Sequence, residues 1–187
     1  MEGRLTCIIG FVDKGNVYIG GDAAGCSDWE VRPISEPKVF RRDDMIFGMA
    51  GSIRAAQLIH YKLSLAPRAE NIADMEYLVE SFAEDVRACL KAGGVAHVEN
   101  NVEEGNGFLL GYNGVLYFVD DDYQITSFGD NMQAIGAGRQ YALGAMVGYA
   151  NLSPRERIIA SLEASARFCA AVCPPWTVEV LGNGKEE

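Results

Sequence analysis

The stretch LTCIIGFVDKGNVYIGGDAAG, residues 5–25, contains two apolar runs separated by a polar turn. Both runs, at 6–12 and 16–22, are rich in residues that favour β-strands, and the intervening DKGN has the composition of a hairpin turn. Because the two ends of a hairpin meet, the start of the first strand should lie beside the end of the second. The pattern therefore predicts that Asp22 returns next to Thr6.

The rest of the chain repeats an order of strands followed by helices. Further strands are expected at 38–42, 45–50, 124–128, 132–138 and 176–181, with two more in 107–120 around an Asn113-Gly114 turn. Helices are expected at 52–65, 73–91, 138–150 and 153–172, and residues 93–106 are interpreted as a loop. Since strands and helices do not alternate one by one, this order favours an α+β fold. Two antiparallel sheets would pack face to face between helical layers.

Length and composition limit the class of protein. A chain of 187 residues that is 49% apolar predicts one domain over 1–187, with a short leader at 1–5 and a flexible tail at 182–187. No apolar run reaches the length of about 20 residues that a membrane-spanning helix needs, and no signal peptide is evident. We therefore expect a soluble, cytoplasmic protein that does not bind membranes.

Charge and cysteine content narrow the set of ligands. The net charge of −10 and the scattered basic residues argue against a nucleic-acid partner. Five cysteines without CxxC spacing fit neither a disulfide framework nor a zinc ribbon. We predict no cofactor and no metal.

Three residues suggest chemistry when they are taken together, although each alone has an ordinary structural explanation. Thr6, Asp22 and Lys38 would converge if the hairpin forms and if Lys38 starts a neighbouring strand. A threonine hydroxyl becomes a good nucleophile when a base takes its proton, and a freed α-amine on the same residue is such a base. A lysine held by an aspartate would assist, and the backbone N–H of Gly51 would stabilise an oxyanion. This combination predicts hydrolysis of an amide bond.

The segments TCIIGFVDKGNVYIGGD, PKVFRRDDMIFGMAGS and AIGAGRQYALGAM resemble the proteasome β-subunit and HslV-type threonine peptidases, which are N-terminal nucleophile hydrolases. Thr6 and Asp22 are 16 positions apart, and Thr6 and Lys38 are 32 apart, as in that family. The resemblance extends to the order of strands and helices over nearly the whole chain. It implies a four-layer α-β-β-α sandwich and self-cleavage ahead of Thr6.

The same resemblance implies the roles of the site residues and the form of the assembly. Thr6 would be the nucleophile, Asp22 and Lys38 would support it, and Gly51 would supply the oxyanion hole. The pocket for the substrate side chain would be lined by Met49 and Ile53. The family further implies a homo-oligomer of stacked rings that acts on peptides or unfolded proteins, with an ATP-dependent unfoldase as partner.

Three departures from the family pattern leave other functions open. Ala137 in IGAG stands where the family usually has a serine, and Leu5 stands where a glycine is common. The stretch ARFCAAVC lacks the carboxylate that the family's late helix supplies, and Arg167 is one residue that could take its place. The alternatives are a catalytically inactive homologue that serves in structure or assembly, and an amidase for a small molecule.

Overall fold

The computed structural model describes residues 5–27, 30–99 and 102–182. Residues 1–4 of the predicted leader and 183–187 of the predicted tail lie outside the described residues. The strands are, in chain order, β1 (Ile8–Asp13), β2 (Asn16–Gly21), β3 (Ala24–Ser27), β4 (Glu30–Pro33), β5 (Val39–Arg42), β6 (Met45–Met49), β7 (His97–Glu99), β8 (Val102–Glu104), β9 (Phe108–Tyr112), β10 (Val115–Val119), β11 (Ile125–Ser127), β12 (Met132–Ile135) and β13 (Thr177–Leu181).

The helices are α1 (Ile53–Tyr61), α2 (Asp74–Tyr77), α3 (Ala83–Ala92), α4 (Arg139–Gly148) and α5 (Pro154–Phe168). A π-helical turn, Leu78–Phe82, joins α2 to α3. The predicted start of α5 is confirmed: Pro154 is in its first turn, and the Ser153 N–H donates to the Glu156 carboxylate at 3.2 Å. Within the described ranges, none of the helices is long and apolar enough to cross a membrane.

Two antiparallel sheets form the centre of the molecule, as the order of elements predicted. One sheet has the strand order β12-β1-β2-β13 and the other β11-β10-β9-β6-β5. The β1–β2 hairpin is present, with Asn16 and Asp13 paired across its turn. The predicted Asn113-Gly114 turn joins β9 to β10, and both of its residues have positive φ angles.

Three clusters of buried side chains separate four layers. The cluster between the two sheets includes Ile8, Ile19 and Leu109. A second cluster packs the outer face of the first sheet against α4 and α5, and a third packs the second sheet against α1 to α3. The sheets approach closely at Gly48, where an added Cβ would lie 2.5 Å from the Ile8 side chain. The α-β-β-α sandwich is thus confirmed.

Two helices end earlier than predicted. Instead of reaching residue 65, α1 ends at Tyr61, and Leu63 turns inward to be buried. The Arg42 guanidinium donates to the Ile59 carbonyl at 2.6 Å and so satisfies a backbone group at the end of the helix. Instead of reaching residue 172, α5 ends at Phe168 because the backbone becomes extended at the next residue.

The predicted loop at 93–106 contains the β7–β8 hairpin, and the β3–β4 hairpin was not predicted at all. Their strands are only three or four residues long. An alternating hydrophobic pattern cannot be recognised over so few positions.

Candidate active site

The β1–β2 hairpin brings Thr6 and Asp22 together. Its register pairs Ile8 with Gly21. One step further along, the Asp22 N–H donates to the Cys7 carbonyl at 3.2 Å. The hydroxyl of Thr6 then donates to the Asp22 carboxylate. The register of the hairpin therefore places the Thr6 hydroxyl beside the Asp22 carboxylate.

Lys38 reaches this pair from the facing sheet. It immediately precedes β5, which belongs to the other sheet and faces β2 without pairing with it. The Lys38 Nζ lies 2.7 Å from Thr6 Oγ1 and 3.1 Å from both carboxylate oxygens of Asp22. The three side chains that the spacing singled out thus meet at one end of the sandwich, across the interface between the sheets.

The three side chains are almost entirely buried. The exposed fractions are 2% for Thr6, 3% for Asp22 and 9% for Lys38. A buried carboxylate needs both a counter-ion and hydrogen bonds. Asp22 has both, because it also accepts from the N–H groups of Cys7 at 2.9 Å and Ala24 at 2.7 Å. The carboxylate is therefore anchored, and it holds the ammonium against the hydroxyl.

The arrangement favours a threonine nucleophile over the neighbouring thiol. Cys7 is fully buried, and burial raises the pKa of its thiol to about 12. Since the thiolate is the reactive form of cysteine, Cys7 is unreactive at neutral pH. The Thr6 oxygen, by contrast, accepts a charge-assisted hydrogen bond from Lys38, which stabilises negative charge on that oxygen.

The IGAG turn supports Thr6 from the other side. The Gly138 N–H donates to the Thr6 carbonyl at 3.2 Å. Gly136 has a φ of +91°, and an added Cβ there would lie 2.3 Å from the Thr6 carbonyl oxygen. Only glycine fits at this close approach.

Replacing Gly136 with alanine is expected to destabilise the fold by about 2 to 4 kcal/mol, from the left-handed backbone and the steric overlap. Thermal denaturation at fixed protein concentration measures this effect. Gly144→Ala is the matched control, because Gly144 lies in α4 with nothing within 4 Å of an added Cβ. The control should be neutral or slightly stabilising, and an equally stable Gly136→Ala would contradict the packing described here.

The residues that depart from the family pattern lie as follows. Ala137 lies in the IGAG turn and is exposed. Arg167 is also exposed, and within the described ranges no hydrogen bond or ion pair involves its side chain. Two buried serines, Ser161 and Ser165, come from α5 instead, and the Ser165 hydroxyl donates to the Gly138 carbonyl at 3.0 Å. Ser165 was not predicted as part of the site, because a serine inside a helix carries no distinctive sequence signal.

Thr6 and Lys38 line a cavity of about 730 Å³, and Asp22 lies behind them without lining it. Gly51, Met49 and Ile53 all line it, and Leu5 lies at its edge next to Thr6. Gly51 has a φ of +95° and directly precedes Ser52, the N-cap of α1. Contact of Met49, Gly51 and Ile53 with a substrate stays a prediction.

Other cavity-lining residues were not predicted as part of the site. These are chiefly Cys26, Glu36, Gln57, His60, His97, Glu104 and Asn106. His60 stacks on Phe40, with ring centroids 4.2 Å apart, and burial lowers the pKa of its imidazole. Part of the wall comes from the β7–β8 hairpin, which the sequence did not reveal. Among the described residues, no group of three His, Cys, Asp or Glu side chains is arranged to hold a metal ion.

Comparisons with known proteins reveal similarity to solved structures but not to any family model. No protein-family model matches the sequence, and no curated protein matches it either. Among solved structures, BPH from Thiobacillus denitrificans has a TM-score of 0.80 at 17% identity, over 97% of this chain and 100% of that chain. The same protein in complex with epoxomicin gives a TM-score of 0.77 at 17% identity, over 96% and 100%.

Two further solved structures have the same architecture. HslV from Trypanosoma brucei has a TM-score of 0.66 at 18% identity, covering 95% of this chain and 99% of that chain. Anbu, an ancestral β-subunit from Yersinia bercovieri, has a TM-score of 0.65 at 14% identity, covering 95% and 82%. The chain therefore has the proteasome-like α-β-β-α fold of HslV and the ancestral β-subunit.

Proposed function

We propose that this protein is a threonine-type peptidase of the proteasome and HslV kind, with Thr6 as the nucleophile. The observation that carries the proposal is the 2.7 Å contact between Lys38 Nζ and Thr6 Oγ1, with Asp22 anchoring the lysine. The ammonium is directed at a hydroxyl that lines the cavity, where a substrate carbonyl could reach it. The fold and the spacing of the three residues support the same conclusion.

The proposed reaction begins with removal of the leader. Hydrolysis of the Leu5–Thr6 peptide bond consumes one water and frees the α-amine of Thr6. That amine takes the hydroxyl proton while Thr6 Oγ1 attacks the substrate carbonyl, and Lys38 stabilises the oxygen as it gains charge. The Gly51 N–H donates to the oxyanion of the tetrahedral intermediate.

The proton then passes to the leaving amine, and the carbon–nitrogen bond breaks to leave an ester on Thr6. Water hydrolyses this ester and regenerates the hydroxyl. We place the substrate side chain against Met49 and Ile53 in the cavity, which favours an apolar residue before the cut.

The proposal extends to assembly by likeness of fold alone. We propose a cytoplasmic homo-oligomer of stacked rings that encloses the sites, supplied with unfolded chains by an ATP-dependent unfoldase. Sedimentation and electron microscopy of the purified protein test the rings: a chain that stays monomeric at micromolar concentration would contradict this part of the proposal.

Epoxomicin tests the nucleophile directly, since the related fold of BPH has been solved in complex with it. An epoxyketone presents two electrophiles, which match the hydroxyl and the free amine of an N-terminal threonine. We expect a covalent adduct on residue 6 by peptide mass mapping, together with loss of turnover of a fluorogenic peptide. Thr6→Ala should form no adduct, and a wild-type chain without an adduct at residue 6 would count against the proposal.

An inactive structural homologue is the second candidate, and Ala137 favours it. Ala137 lacks a hydroxyl in the turn whose Gly138 N–H donates to the Thr6 carbonyl, and the Ser165 hydroxyl already donates to the Gly138 carbonyl. In this case rings would form, but neither peptide turnover nor an epoxomicin adduct would be seen. The two measurements together therefore separate the two functions. A small-molecule amidase would show turnover of a small amide without forming a closed ring.

A further inference from the structure

Asn106 is a buried polar residue that the proposed reaction does not use. Its exposed fraction is 7%, and it lies just before β9 at the wall of the cavity. Its side-chain Nδ2 donates to the Ala50 carbonyl at 2.8 Å, and its Oδ1 accepts from the Ser52 N–H at 3.0 Å. The two partners are the residues immediately before and after Gly51.

The sheet register explains why Asn106 lies there. Strands β6 and β9 are antiparallel, and their last pair is Met49 with Phe108. Continuing that register by two residues sets Gly51 opposite Asn106. The asparagine therefore lies opposite the turn as a consequence of strand pairing, and its short side chain spans the gap.

The two hydrogen bonds fix the orientation of the amide and, through it, the turn. A backbone carbonyl needs a donor and a backbone N–H needs an acceptor, so Ala50 and Ser52 admit only one orientation of the Asn106 amide. A further bond from Nδ2 to the Gly107 carbonyl, at 3.1 Å, restrains the amide itself. Rotation of either peptide plane beside Gly51 would break one of these bonds.

The backbone N–H of Gly51 is available to donate a hydrogen bond to a substrate. Its φ of +95° is a conformation in which glycine is favoured, and within 5–27, 30–99 and 102–182 no hydrogen bond of its N–H is found. The residue lines the cavity that contains Thr6. A donor that is held rigidly before substrate arrives stabilises an oxyanion without the cost of reorganisation.

We infer that Asn106 is a positioning residue, which holds the turn at 50–52 so that the Gly51 N–H is presented to the oxyanion. The inference rests on the proposed function, because it assigns a role in that reaction. It adds a residue 100 positions after the nucleophile in the sequence, from the opposite sheet.

Asn106→Ala tests the inference in the full chain. We expect kcat for a fluorogenic peptide to fall by about 10- to 100-fold with KM changed by less than about threefold, as for loss of an interaction made in the transition state. A peptide boronate, which forms a tetrahedral adduct with the nucleophile, should bind more weakly by a similar factor. The same peptide ending in a carboxamide should bind as to the wild type.

Gln140→Ala is the control for loss of an amide, because Gln140 is exposed on α4 and does not line the cavity. It should leave kcat and both affinities unchanged. Asn106→Asp serves if the alanine variant fails to fold, since the aspartate retains the size and the acceptor for Ser52 but replaces the donor to Ala50. It should show the same selective loss of kcat and boronate affinity.

The outcomes separate the inference from the function on which it rests. An active wild type whose Asn106 variants retain kcat and boronate affinity within about twofold overturns the inference alone. Equal losses of boronate and carboxamide affinity also overturn it, because they indicate a general loosening of the pocket. A wild type that neither turns over peptide nor binds the boronate overturns both the proposed function and the inference.

Discussion

Thr6→Ala is expected to reduce peptide hydrolysis by at least about 1,000-fold, because the variant has no hydroxyl to attack the carbonyl. The fold should remain, since Lys38 keeps its contacts with both oxygens of Asp22. Loss of one buried hydrogen-bonding partner should lower stability by no more than about 1 to 3 kcal/mol. Initial rates with a fluorogenic peptide, together with circular dichroism, separate loss of chemistry from loss of structure.

Two further threonine variants serve as controls for Thr6→Ala. Thr6→Ser retains a hydroxyl at the same position and should retain part of the activity. Thr126→Ala removes a hydroxyl from β11, where it accepts from the Gln124 side chain at 3.1 Å, and should leave the rate unchanged. Full activity in Thr6→Ala would show that another group performs the chemistry.

Asp22→Ala is expected to produce the largest loss of stability in the site, about 3 to 5 kcal/mol, because it leaves a buried ammonium without its counter-ion. The Lys38 side chain is 9% exposed, and the Asp22 carboxylate is its ion-pair partner within the described residues. The variant also removes acceptors from the N–H groups of Cys7 and Ala24. Activity should be lost as well, since the lysine is no longer held against Thr6.

Denaturant unfolding at one protein concentration measures this loss. The double variant Asp22→Asn with Lys38→Met removes both charges at once and should be more stable than the sum of the single effects predicts. Glu84→Ala breaks an exposed ion pair with Arg87, in which the side chains are 63% and 40% exposed, and should leave the midpoint unchanged. If Asp22→Ala changes the unfolding midpoint as little as Glu84→Ala does, the buried Asp22–Lys38 pair does not stabilise the site.

The sequence predicted the parts of the site that depend on local pairing. Asp22 returns beside Thr6 because a tight hairpin fixes the register of two adjacent strands, and both the strands and the turn residues were recognisable. Gly51 was predicted at the start of a helix from a small-residue turn followed by an apolar face. In these cases the interacting residues are close in sequence or belong to one supersecondary unit.

Contacts between distant segments were harder to predict. Lys38 was expected near Thr6 at the start of a neighbouring strand, and the family spacing supported this, but nothing in a single strand showed that it joins the facing sheet. Asn106 was missed, since its bond to Ala50 joins residues 56 positions apart and depends on the pairing of β6 with β9. The β7–β8 hairpin was missed because its strands are too short for a periodic pattern. Such features follow from tertiary register, which the sequence specifies only through the whole fold.

The mass of the intact, purified chain tests most directly whether Thr6 is an N-terminal nucleophile, because the proposed reaction needs a free amine on Thr6. We expect a main species that begins at Thr6 and hydrolyses peptide. Thr6→Ala, which cannot cleave ahead of itself, should retain the residues before position 6. A wild-type main species that retains Met1 or Glu2, together with no peptide turnover, would show that Thr6 is not the nucleophile of a peptidase.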